Sequence, residues 1–249
     1  VFFSLGKKAR RTRFFFVFSF LPVAVATIIK FNQIFSDRPS FDGFYLFTNI
    51  IMFFYLQLVV LILALFYGTS VCSEEVEGRT LPYLATRPVP KSAIVLGKYA
   101  ASALIVIIMV GLGMILSFIV LNIDRLFDPS LYPALFRYLG VLTLGIIAYT
   151  AMFTFFGSAL KRSVFLGLLF CFGWENVIQY FPGSTQKLAI VHYLKSFLPR
   201  TSPGRFSFLT FRLEATPPRL ALLILCLISA GFLALAALLF SKKEYILED

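Results

Sequence analysis

The stretch Ala93–Leu121, AIVLGKYAASALIVIIMVGLGMILSFIVL, carries one charge, Lys98, in 29 residues. As a helix rising about 1.5 Å per residue it is longer than the ~30 Å hydrocarbon core of a bilayer. It does not alternate polar and apolar residues, so it is not a barrel strand. Composition extends the point to the whole chain. Of 249 residues 59% are hydrophobic and only 14% are charged, with a mean hydropathy of +0.87. A soluble domain carries about 25% charged residues, and its core could not absorb this much apolar surface. The bilayer is therefore the solvent.

Outward from that run, five more apolar stretches are long enough to cross: about 14–31, 46–71, 139–160, 164–181 and 220–240. The expected fold is all-α: a polytopic membrane protein with six transmembrane helices, in one transmembrane domain over 1–249. Basic residues set the expected orientation. An even number of spans puts both termini on one side, with thirteen Lys and Arg there against four in the two shorter opposite loops. That side is read as cytoplasmic. The 182–219 loop opposes this with six basic residues, but the basic segment Lys7–Arg13 beside the first span is the stronger guide. The first residue is Val1 rather than Met, so the true start is expected to lie upstream, and no cleavable signal pattern is visible. The net charge of +11 fits anionic lipid rather than nucleic acid. Cys72, Cys171 and Cys226 are isolated and make no disulfide framework.

Between the second and third spans lies the most polar segment, Ser73–Tyr99, with three Glu, two Arg, two Lys and three Pro. Ser73 either caps a new helical turn or lies on a second span that runs past the membrane. Glu74, Glu75 and Glu77 suit a helix N-terminus. Pro82 is welcome in the first turn of a helix and Pro88 stops one. A very short helix is predicted over 82–87, held away from the membrane, with Leu81, Tyr83 and Leu84 as an apolar patch rimmed by charge. Such a patch is either a protein docking site or a helix packed on lipid headgroups.

The runs Gly68-Thr69-Ser70, Glu74-Glu75-Val76-Glu77, Thr80-Leu81-Pro82-Tyr83-Leu84, Thr86-Arg87-Pro88-Val89-Pro90-Lys91 and Gly97-Lys98-Tyr99 resemble the permease subunits of ABC-2 type transporters. That family includes the permease of the nitrous-oxide reductase maturation transporter. Gly78-Arg79-Thr80 departs from the pattern, where Gly directly before Thr is expected. The resemblance implies that 73–91 is a cytoplasmic coupling loop whose short helix seats in a groove of an ATPase subunit. Glu74, Glu75, Glu77, Arg79, Leu81, Tyr83, Leu84 and Arg87 are the implied contacts. It also implies two copies of the ATPase with its ATP and Mg, a second permease chain, identical or similar, and a bacterial cytoplasmic (inner) membrane location. Trp174-Glu175 is similar to a Trp-Glu pair in related members.

The chain has no Gly-x-x-x-x-Gly-Lys-Ser/Thr loop: Gly6-Lys7 and Gly97-Lys98 lack the upstream glycine and the following hydroxyl. It is therefore expected to bind no nucleotide, to hold no cofactor or metal, and to be no enzyme by itself. The single histidine, His192, has no second histidine for a metal pair and is read as a solvated or interface residue. Asp124 and Asp128, in an outer loop beside Pro129, read as turn-forming or interfacial residues rather than an acid–base pair. Glu175 stands out. About twelve residues into the fifth span, it should sit roughly 18 Å up, where a charge costs about 2.5–3.5 kcal/mol. Trp174, Glu175 and Asn176 thus form a candidate intramembrane polar site. Glu175 is read either as a gating or substrate-path residue or as a structural hydrogen bond to a neighbouring helix or the outer loop, with Arg137 and Lys195 as candidate partners. In the extracytoplasmic loop, 182–219, an outer amphipathic helix is predicted on the surface. Ile190, Val191, Leu194, Phe197 and Leu198 lie on one arc, with His192, Lys195 and Ser196 opposite. Gly97/Ala101, Gly111/Gly113, Gly140, Gly145, Gly157/Ser158 and Ala230/Ala234 read as packing residues.

The leading expectation is a permease subunit of an ATP-driven transporter that exports a substrate, or extracts it from the membrane. The apolar composition permits a hydrophobic one. The alternatives are an ATP-driven transmitter of force to an outer protein partner, an ion-coupled carrier, and an intramembrane enzyme using Glu175.

Overall fold

The computed structural model describes residues 12–35, 43–77, 91–160, 162–178, 184–198 and 216–242. All elements among them are helical. Five helices are long and apolar enough to cross a membrane. They are α1, Thr12–Phe35; α2, Gly43–Cys72, which runs on as helix to Glu77; α3, Lys91–Leu121; α4, Tyr132–Ala159; and α7, Pro218–Lys242. Between α4 and α7 lie α5, Ser163–Ile178, and the six-residue α6, Ile190–Lys195.

The second span does not end at a cap on Ser73. Its helix continues through Glu77, so the three glutamates lie in the last residues of α2. The predicted short helix with Arg79, Leu81, Tyr83, Leu84 and Arg87 lies outside the described residues.

The core is built around α2 and α4, the most buried of the spans, while α1 and α7 are the least buried. α2 packs on α4 and α3, α7 packs on α4 and α3, and α1 packs on α3. On α3, Val106, Val110, Met114 and Phe118 are buried at a spacing of four, the period that keeps one helix stripe facing inward. Leu104, Ile108, Leu112 and Ile115 face outward. Phe47 of α2 meets Phe118 edge-on, with ring centroids 5.2 Å apart, and lies beside Tyr138 of α4. Polar atoms inside the bundle bond across helices where they can. Ser19 Oγ donates to Met109 O at 2.8 Å, the Tyr55 and Ser117 hydroxyls lie 3.2 Å apart, those of Thr48 and Tyr138 3.0 Å apart, and Tyr99 Oη donates to Ile147 O at 3.0 Å.

The small residues divide into two groups. A side chain at Gly97 or Gly140 would meet nothing within 4 Å. A Cβ at Gly157 would lie 2.6 Å from the backbone oxygen of Thr69, and one at Gly68 would lie 2.9 Å from that of Thr150. α2 and α4 therefore touch backbone to backbone, glycine on each side.

α3 and α4 are joined by two tight turns, Ile123–Arg125 and Pro129–Leu131. Asp128 caps the second, accepting from Ser130 N at 3.0 Å and Ser130 Oγ at 2.7 Å. Those bonds hold its carboxyl below the usual carboxylate range. Asp124 pairs with Lys30 of α1, so Asp128 acts within the turn and Asp124 ties the turn to α1.

Candidate functional site at the outer end of α5

α5 is sixteen residues long, about 24 Å at 1.5 Å per residue, short of a ~30 Å core. A stretch in its middle, Phe170–Glu175, is π-helical. Such wide turns shift the side chains that follow and recur at functional positions. Two more π-helical turns, Phe47–Ile51 and Tyr55–Val59, lie in α2.

The π turn separates the three residues that the sequence grouped. Trp174 is 45% exposed and stacks on Phe170 of its own helix. Asn176 Nδ2 donates back to Cys171 O at 2.8 Å. Glu175 alone turns inward and is 1% exposed. Its Oε1 accepts from Tyr149 Oη of α4 and, at 2.7 Å, from the backbone N–H of Val191 in α6. Two donors, from α4 and α6, thus share one carboxyl oxygen. No donor among the described residues reaches Oε2, which is also buried.

α6 explains why these groups meet. It does not lie on the surface. Ile190, Val191, His192, Tyr193 and Leu194 are all buried, and α6 packs on α4 and α7. A Cβ on Gly145 would sit 3.0 Å from Leu194 Cδ1, so the bare glycine makes the notch that Leu194 fills. Gly145 lies thirteen residues into α4, about 20 Å along it. The backbone of α6 is buried there, and a buried N–H left unmet costs about 1–3 kcal/mol. Glu175 meets one such N–H.

The arc that the sequence assigned to water is thus partly internal, with His192 buried and Lys195 and Ser196 half-buried. His192 is 2% exposed. Its Nε2 lies 3.1 Å from Thr216 Oγ1, just before α7. Thr216 N donates to Ser196 Oγ at 3.3 Å, and Ser196 Oγ donates to His192 O at 2.9 Å. Burial holds the imidazole below its usual range, and the charges of Lys187 and Lys195 add to this. Lys195, half-buried, is pushed down from 10.5 to about 8 by burial, with Glu175 pulling it back up. Helical periodicity found α6 but not its depth. Tyr149 gave no sequence signal at all, since a tyrosine in an apolar run looks like packing.

The Lys195 shift predicts a pH response. The folded chain holds its ammonium less tightly than the unfolded chain does. Between pH ~8 and ~10.4 the unfolded state therefore binds more protons, and stability rises with pH. Below pH ~8 this contribution is absent. Thermal melting at pH 8 and pH 10 should show the rise, and Lys195→Met should remove its share of it. Identical slopes in the two proteins would rule out this source.

Among the described residues no group of three or more His, Cys, Asp or Glu is placed to hold a metal ion. The arrangement is a set of hydrogen bonds that joins α4, α5, α6 and the approach to α7.

No curated protein and no solved structure matches the chain. A family profile does match, described as ABC-2 family transporter protein, over residues 6–174. The match takes in α1 to α4 and most of α5, and stops one residue before Glu175. It covers well over half of the chain, and with a bundle of membrane-length apolar helices behind it, this chain belongs to the ABC-2 family of transporter proteins.

Proposed function

We propose that the chain is the permease subunit of an ATP-driven transporter, coupling hydrolysis by a separate ATPase to export or membrane extraction of a hydrophobic substrate. The family match over residues 6–174 carries this reading, because membership implies an ATPase partner. Six crossings, with α5 as the fifth, put both termini on the cytoplasmic side of a bacterial inner membrane. Two ATPase copies sit beneath a pair of permease chains. The helix predicted over 82–87 is the contact, with Leu81, Tyr83 and Leu84 seated in the ATPase and Glu74, Glu75, Glu77, Arg79 and Arg87 around them. ATP and Mg belong to the partner. The finer kinship with the nitrous-oxide reductase maturation permease rests on the Gly68–Tyr99 motif alone.

Copurification with an ABC ATPase is the expected result. Leu84→Asp places a charge at the centre of the apolar patch and should cut the ATPase activity of the assembled complex at least tenfold. Tyr83→Ala should do so in the same direction. Unchanged activity in both would sink the coupling assignment.

A second reading is favoured by α6, which is bonded both to the bundle and to the approach to α7. Such a segment suits an ATP-driven transmitter of force to an outer protein. A ligand trapped between the permease halves argues for transport. An outer protein bound to the 182–219 loop argues for the transmitter.

A further inference from the structure

Phe127 stands fully exposed in the turn that joins α3 to α4. Five other large apolar side chains at this end of the bundle are more than half exposed: Ile123 in the turn, Phe136 on α4, and Phe31, Ile34 and Phe35 at the end of α1. The Lys30–Asp124 pair ties the end of α1 to the turn. This is the end opposite Glu77 of α2, since Phe47 at the other end of α2 lies beside Phe118 and Tyr138. Exposed apolar side chains gathered in this way mark a contact surface.

The turn is held on both sides of Phe127. Tyr132 Oη donates to Leu126 O at 2.6 Å, and Asp128 accepts from Ser130 N and Ser130 Oγ. The backbone is thus set in advance and only the ring is left uncovered, so seating the ring orders little further chain.

Height and continuity identify the partner as lipid. Phe31 and Phe35 follow Arg13 by 18 and 22 residues, about 27 and 33 Å along α1, and Leu121 lies about 35 Å along α3 from Lys98. With those basic residues at the opposite headgroups, the six side chains fall at the far edge of a ~30 Å hydrocarbon core. The row Leu21, Ala24, Ile28, Phe31 and Phe35, at steps of three and four, is exposed throughout. The lipid-facing stripe of α1 therefore runs to this end without a polar break. A surface built for a protein would stand clear of that stripe. At the rim Arg125 and Arg137 are exposed. A guanidinium matches a phosphate with a two-point bond, and its stem can lie along apolar surface while its head reaches the headgroups.

We propose that the α3–α4 turn is a membrane-interface anchor. Phe127, Ile123 and Phe136 enter the phospholipid leaflet opposite Glu77, and Arg125 and Arg137 bond its phosphates. The anchor sets the depth of α3 and α4 and, through Lys30 and Asp124, of α1. It requires that the bundle cross a membrane and does not depend on the permease reading.

The test uses the full chain in phospholipid nanodiscs, with Trp174→Phe to remove the single native tryptophan and Phe127→Trp as the reporter. Phospholipids brominated on the acyl chain close to the headgroup should cut its emission at least twofold, and more than lipids brominated deep in the chain. Iodide in the water should quench it only weakly. Ile108→Trp, on the exposed side of α3 at mid-span, should show the reverse order of bromine depths and so calibrates the scale. Strong iodide quenching without a bromine effect would place position 127 in water and overturn the anchor. Quenching by neither would place it against protein, a second copy or another chain, and overturn it equally. Phe136→Trp repeats the measurement from α4 and decides the matter if Phe127→Trp does not fold. Arg125→Gln with Arg137→Gln should weaken the shallow bromine quenching of Phe127→Trp; an unchanged signal would overturn the phosphate contact.

Discussion

Gly157→Val is expected to leave little folded protein, whereas Gly140→Val, on the same helix, is expected to fold like the parent. At Gly157 the new Cβ would lie 2.6 Å from Thr69 O and 3.0 Å from Thr69 Cα. These are backbone atoms of a buried helix and cannot swing aside. Thr69 is further held by its own hydroxyl bond to Leu65 O at 2.7 Å. Overpacking a tight core costs about 1–3 kcal/mol when side chains can shift. Here two helix backbones must part, so the cost should reach or pass the upper end. At Gly140 nothing lies within 4 Å, and removing a glycine from a helix interior is itself favourable by a few tenths to 1 kcal/mol. Thermal unfolding in detergent, followed by size-exclusion recovery, separates the two. Equal melting temperatures would mean that the α2–α4 contact is not the tight one.

Tyr149→Phe is expected to lower stability by about 1–3 kcal/mol, the cost of taking a partner from a buried polar group. Tyr149 is wholly buried, and its hydroxyl is one of the two donors on Glu175 Oε1. Phenylalanine keeps the ring and its stacking with Phe153 and removes only the donor. The effect should shrink when Glu175 is replaced by leucine, because the loss then strands no carboxyl oxygen. A double-mutant cycle of Tyr149→Phe with Glu175→Leu measures this coupling. An additive cycle would show that the hydroxyl and the carboxylate do not depend on each other.

How much of this was legible in the sequence differs from element to element. The Ala93–Leu121 run could only be a membrane helix, because its length and lack of charge leave no other solvent. The end of α2 was left open between a cap at Ser73 and continued helix, since both use the same residues; helix continues to Glu77. Glu175 was conspicuous because a carboxyl is expensive in a span. Its partners were not, because they lie 26 residues before it and 16 after it. α6 was visible as a helix by its periodicity. Its setting was misread as the outer surface because His192, Lys195 and Ser196 look like a wet face. Periodicity reports which residues share a side of a helix. It does not report that His192 and Ser196 meet Thr216 rather than water. Likewise Gly140 and Gly157 are indistinguishable in sequence, and only the fold decides that one faces open space and the other a backbone.

The contact between α2 and α4 has a mechanical consequence. Around Gly68 and Gly157 the hydroxyls are spent on their own helices: Thr69 on Leu65 O, Thr154 on Thr150 O, Ser158 on Phe155 O. The helices themselves meet there through backbone atoms, with no side chain between them to yield. A displacement of α2 at its Glu77 end should therefore carry the neighbouring end of α4 with it, so that the two helices move as one strut.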